Sequence, residues 1–98
     1  MITSTKNPRV KHIRHLQADP RARRESNSFV LEGIRLCEEA VAAGWPVQLC
    51  LFDQDLPPRG REIVDQLASS GGETIPAMEH VIKAVSETKT PQGLVMVV

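Results

Sequence analysis

Ninety-eight residues suffice for one domain with one modest core, and 41% hydrophobic with 24% charged residues is a folding composition rather than a disordered one. Phe29, Trp45 and Phe52 are the only aromatic residues, so the core must come from Val, Ile, Leu and Ala, and RNA binding by stacked aromatics is not expected. The formal charge is zero, the N-terminus has no apolar leader, and no apolar run approaches the roughly 20 residues that span a bilayer, which points to a soluble, cytoplasmic protein.

Asn7-Pro8 is a helix start, with Asn as N-cap and Pro at the first helical position. In the helix through Arg9–Ala18, Val10, Ile13, Leu16 and Gln17 fall on one side, and Lys11, His12 and His15 on the other. Asp19-Pro20 repeats the start signal, predicting a short, Arg-rich, polar helix to about Ser26. Ser28–Glu32 reads as a buried strand ended by Gly33. Ile34, Cys37, Ala40 and Val41 then form the stripe of a helix closing at Gly44. Val47–Phe52 is an apolar run of strand length, buried on both faces. Asp53 to Gly60, with Pro57-Pro58, is a predicted loop. Ile63, Val64, Leu67 and Ala68 mark a helix that Gly71-Gly72 ends. Thr74–Pro76 is a short strand, Ala77–Ser86 a helix, Thr88–Gly93 a polar turn and Gly93–Val98 a last strand. This alternation predicts an α/β domain with a mainly parallel or mixed four-stranded sheet, covered on both faces. The chain ends inside its last apolar run, as at a boundary where a domain continues into another.

Cys37 and Cys50 lack ligand spacing and read as buried, reduced thiols. His12 and His15 have no third ligand nearby in a basic setting, so no metal site is expected. No Ser/His/Asp or Cys/His arrangement emerges, and Gly71-Gly72 lacks the Lys-Ser/Thr of a phosphate loop. The zero net charge hides an asymmetry. Residues 1–35 carry +5 and residues 36–98 carry −5. A basic end suggests a polyanionic partner, with a solvated helix face as the alternative.

Three segments carry a resemblance. They are Ile2-Thr-Ser-Thr-Lys-Asn-Pro-Arg-Val-Lys11; Ser28-Phe-Val-Leu-Glu-Gly33 with Arg35-Leu36 and Glu39-Ala40; and Glu87-Thr-Lys-Thr-Pro-Gln-Gly-Leu-Val-Met-Val-Val98. In this order and spacing they resemble the N-terminal substrate-binding domain of SpoU/TrmH-type RNA 2′-O-ribose methyltransferases. The resemblance implies a three-layer α/β/α sandwich like that of the kink-turn-binding ribosomal proteins. It also implies a knotted catalytic domain after this chain, which binds S-adenosylmethionine and commonly mediates homodimerisation. That domain's Asn-x-Gly-x-x-x-Arg segment does not occur here, so the chain alone is expected to be inactive and, as a fragment, monomeric.

The division expected is a basic helical segment, 1–27, and an α/β core, 28–98. Methylating a ribose hydroxyl needs one nucleotide precisely placed. Lys6, Asn7, Arg9, Lys11, Arg14, Arg21, Arg23 and Arg24 are the candidate contacts to rRNA or tRNA, chiefly through phosphates. Glu32 could orient that cluster or bond a ribose, or could cap the helix after Gly33. Arg35 is a further RNA candidate. Thr88, Thr90 and Gln92 could meet RNA or merely satisfy a turn. The rival readings are a free-standing RNA-binding protein of the same fold and a protein-docking domain.

Overall fold

Both Asx-Pro signals act as expected in the computed structural model, which describes all residues, Met1–Val98. The Asn7 and Asp19 side chains accept the backbone N–H of Arg9 and Arg21, each at 2.9 Å. They start α1 (Pro8–Ala18) and α2 (Pro20–Ser26). Asn27, in the left-handed region at φ 52°, closes α2 and turns the chain into β1 (Val30–Glu32). There follow α3 (Ile34–Ala42), β2 (Leu49–Asp53), α4 (Pro58–Ser69), β3 (Thr74–Ala77), α5 (Glu79–Ala84) and β4 (Leu94–Val97). The predicted order of elements holds throughout. Several bounds differ: β1 starts at Val30, Ala77 ends β3 so that α5 is shorter than read, and α4 starts at Pro58, inside the segment read as a loop, because a proline at the first helical turn gives up no needed donor.

The sheet order is β1-β4-β2-β3. Only β2 and β3 are parallel; β4 runs antiparallel to both β1 and β2. The sheet is therefore mixed rather than mainly parallel. An alternating pattern of strands and helices does not tell a strand inserted in reverse from one added at an edge. Here the last strand enters the middle of the sheet.

Alternation along the two central strands divides the core. Leu49, Leu51, Val95 and Val97 face α1 and α5, meeting Val10, Ile13, Leu16, Val81, Ile82 and Val85. Cys50, Phe52, Leu94 and Met96 face α3 and α4, meeting Ile34, Cys37, Ile63, Val64 and Leu67. The result is three layers, α/β/α. The polar helix α2 buries no residue fully and touches the first cluster only through Ala22. It is held instead by Arg23, whose guanidinium donates to the Leu16 and Gln17 carbonyls at 2.6 and 3.1 Å and so caps the end of α1.

The two free cysteines are buried, and burial pushes both thiols up to about 12. The negative charge of Glu32 adds to the shift of Cys37, and Cys37 to that of Cys50. A thiol-exchange reagent at pH 8 is expected to leave both untouched until denaturant is added. Because the unfolded thiols ionise first, near the ordinary value of about 8.5, stability should fall as the pH rises from there towards 12. Replacing both cysteines by alanine should flatten that decline in alkaline urea melts. Leu51→Ala, at a fully buried central position, should cost about 2–5 kcal/mol in the same assay.

Candidate nucleic-acid interface

Six ion pairs involve Arg9, Arg21, Arg35, Arg59, Arg61 and Lys83. The remaining cations, Lys6, Lys11, Arg14, Arg23, Arg24 and Lys89, have no carboxylate partner. All but Lys89 lie in the first 27 residues. Lys11 and Arg14 are exposed on α1, away from the side that buries Val10, Ile13 and Leu16. Lys6 precedes that helix, and Arg24 lies on α2.

The positive residues form a band rather than one cluster. Near the start of α1, Arg9 makes a two-point contact with Glu73, just before edge strand β3, at 3.2 and 2.8 Å. The far end of α1, about 16 Å along its axis, reaches β1 at the opposite edge, where Leu16, Gln17, Arg23, Phe29, Val30 and Glu87 share one surface concavity. Arg9 is thus tied to the acidic half of the chain. Arg21 is paired with Glu25 at 2.9 Å and Arg35 with Glu39 at 3.5 Å, both one helical turn away and exposed. Arg23 is half-buried and fastens two helices. Asn7 spends its side-chain oxygen on the helix cap. Of the eight N-terminal candidates, Lys6, Lys11, Arg14 and Arg24 are left with both exposure and uncommitted charge.

The other candidates gather at a second place. Gly33 occupies φ 96°, ψ 150°, a region essentially confined to glycine, and supplies no side-chain cap for α3. An uncapped helix start needs an acceptor from elsewhere. Gln92 provides it, its side-chain oxygen accepting the Ile34 N–H at 2.7 Å. Glu32 does not cap α3, contrary to the simplest sequence reading. Its carboxylate reaches the loop after α5 and accepts the backbone N–H groups of Glu87 and Thr88 at 3.1 Å. Both residues pin the loop 86–93 to the β1–α3 junction.

Between them lies a concavity of about 240 Å³ lined by Glu32, Gly33, Ser86, Thr88, Thr90, Gln92 and Leu94. The Thr88 and Thr90 hydroxyls and the Gln92 amide N–H₂ make no hydrogen bond within the chain, so they stay available to a ligand. Through Glu87, which borders both concavities' residues, this polar recess adjoins the Arg23 end of the helical band.

Residues 7–96 match the family described as the MRM3-like substrate binding domain. The chain belongs to that family. The SpoU/TrmH resemblance and the sandwich fold it implied are thereby borne out. This substrate-binding domain is 29% identical over 94 residues to an uncharacterized tRNA/rRNA methyltransferase of Synechocystis sp., covering 96% of the chain and 34% of that protein. It superposes on an rRNA methyltransferase from Sinorhizobium meliloti with a TM-score of 0.82 and 29% identity, covering 98% of the chain and 35% of the other; that protein has also been solved with AdoMet bound. An RNA 2′-O ribose methyltransferase structure gives the same TM-score and identity, with 98% and 36% covered. The chain thus spans about a third of the length of these relatives.

Hydrogen bonding and charge from Arg9 hold the Glu73 carboxyl below the ordinary glutamate range. Arg9→Ala should return its midpoint to that range in a carboxyl-detected NMR titration. The pair persists above that window and opens as pH falls through the lowered value. Gln92→Ala removes the α3 cap and should cost about 1 kcal/mol in urea melts.

Proposed function

We propose that this domain captures RNA, rRNA or tRNA, for a ribose 2′-O-methyltransferase whose catalytic domain lies elsewhere in a longer, homodimeric cytoplasmic protein. One observation carries the reading. The carboxylates of this neutral chain pair nearly every cation outside the first 27 residues and leave Lys6, Lys11, Arg14 and Arg24 unpaired and exposed. A charge pattern kept free in a chain with enough acids to neutralise it suits a polyanion.

The division of labour follows from chemistry. S-adenosylmethionine, bound by the catalytic domain, supplies the methyl group. The present chain contributes position. Phosphates meet the helical band as point contacts with Lys6 and Lys11 and as forked contacts with Arg14 and Arg24. The neighbouring recess, with Thr88, Thr90 and Gln92 uncommitted and Arg35 on the helix that Gln92 caps, can bond ribose hydroxyls or base edges. Phosphate contacts fix register without reading sequence, so discrimination would fall to the recess and to RNA shape.

A salt titration of binding to RNA with unpaired regions tests this. Four phosphate contacts to a single strand give a log–log slope of about −2.8. The double variant Lys11→Glu, Arg14→Glu should lower the affinity at least tenfold and reduce the slope by about 1.4, two contacts' worth. Unchanged affinity would leave a protein-docking role as the better account of the band.

A further inference from the structure

The core accepts only one of the three aromatic rings. Phe52 is buried, while Phe29 is 40% and Trp45 48% exposed. The two exposed rings touch each other edge to face, with centroids 5.8 Å apart and planes at 75°. The backbone beneath Phe29 is fixed, because its N–H and carbonyl both pair with Val98, at 3.1 and 3.0 Å. The preceding side chain is fixed too: the buried Ser28 hydroxyl donates to the Ser26 carbonyl and accepts from the Gln48 amide.

Phe29 is therefore a partly exposed ring on a fixed backbone, polar and basic on the side of α2, while the Trp45 it touches borders an apolar groove with Leu31, Leu36, Ala40 and Ala43. Phe29 forms one wall of an open groove of about 430 Å³, whose other walls are Pro20, Arg23, Arg24, Asn27 and Ser28. Arg24 has no carboxylate partner, and the guanidinium of Arg23 is turned towards the end of α1. A benzene ring beside a free guanidinium meets the two needs of a single-stranded nucleotide, a flat face for the base and a cation for its phosphate. An apolar protein partner would leave Arg24 buried without a counter-charge, which is costly.

We propose that Phe29, buttressed by Trp45, is a stacking platform for one unpaired nucleobase of a strand whose phosphate meets Arg24. The inference rests on the RNA-binding reading and adds to it a base-recognition site at the β1 edge of the sheet. It also reverses the expectation drawn from aromatic scarcity. A low count limits how many platforms a chain can hold, but exposure decides whether one exists.

The chain carries its own reporter, since Trp45 is the only tryptophan. The experiment titrates it with a ten-nucleotide oligouridylate and with an abasic strand of the same length. The base-bearing strand should change Trp45 emission and bind about tenfold or more tighter than the abasic strand. Phe29→Leu, which keeps apolar bulk, should remove that advantage while leaving abasic binding and the salt slope unaltered. Equal affinity of the two strands for the unaltered chain overturns the platform whatever the variant does, and leaves phosphate capture standing. Retained base preference in a folded Phe29→Leu chain also overturns it. So does a Phe29→Leu chain that loses self-association in sedimentation without losing base preference, which makes the patch a protein contact. If neither strand nor structured RNA binds, the RNA-binding reading falls, and the platform with it.

Discussion

The structure depends on β4 occupying the centre of the sheet, buried on both faces. Val95 and Val97 close the core under α1 and α5, while Leu94 and Met96 close the one under α3 and α4. Because this strand comes last in the chain, neither layer is complete until the C-terminal residues have paired with both β1 and β2. Its insertion also places the 86–93 loop against the β1–α3 junction. The Gln92 cap and the Glu32 clamp both span more than fifty residues of sequence, and both follow from that placement.

The same constraint organises the surface. With β4 central, β1 becomes an edge strand, and the α1–α2 pair reaches its exposed flank. The far end of the helical band, the Phe29 groove and the polar recess thereby meet at the β1 edge, linked by Arg23, Phe29 and Glu87, while the band's start lies towards β3. A strand of RNA following the band to the β1 edge would pass cations first, then an aromatic face, then uncommitted hydroxyls. The ion pairs of α3, α4 and α5 are exposed ones of the sort that add little to stability.

Much of this was legible in the residues, and the exceptions have physical causes. Asn7-Pro8 and Asp19-Pro20 act within a few residues, so both helix starts could be read directly. The double-sided burial of β2 and β4 was visible as unbroken apolar runs. Strand direction was not, because a buried strand carries the same pattern in either sense. Local spacing sets Arg35 and Glu39 one turn apart, but no spacing reveals that Arg9 meets Glu73, 64 positions away. Gln92 illustrates the same limit. Its type suits a turn or an RNA contact, and only the fold shows it capping a helix whose own N-cap residue, Gly33, has no side chain to do so. A helix start lacking Ser, Thr, Asp or Asn was the available signal that some distant acceptor had to be found. Composition misled in one respect, since scarcity of aromatics said nothing about where Phe29 and Trp45 stand.

The central claim is that one side of this domain, from Lys6 through Arg24 to Gln92, faces RNA. Amide chemical-shift mapping of the chain during titration with a short single-stranded RNA tests it most directly. The account predicts shifts concentrated in residues 6–30 and 86–92, with α4 silent although it carries Arg59 and Arg61. Shifts centred on α4, or spread evenly over all faces, would contradict it.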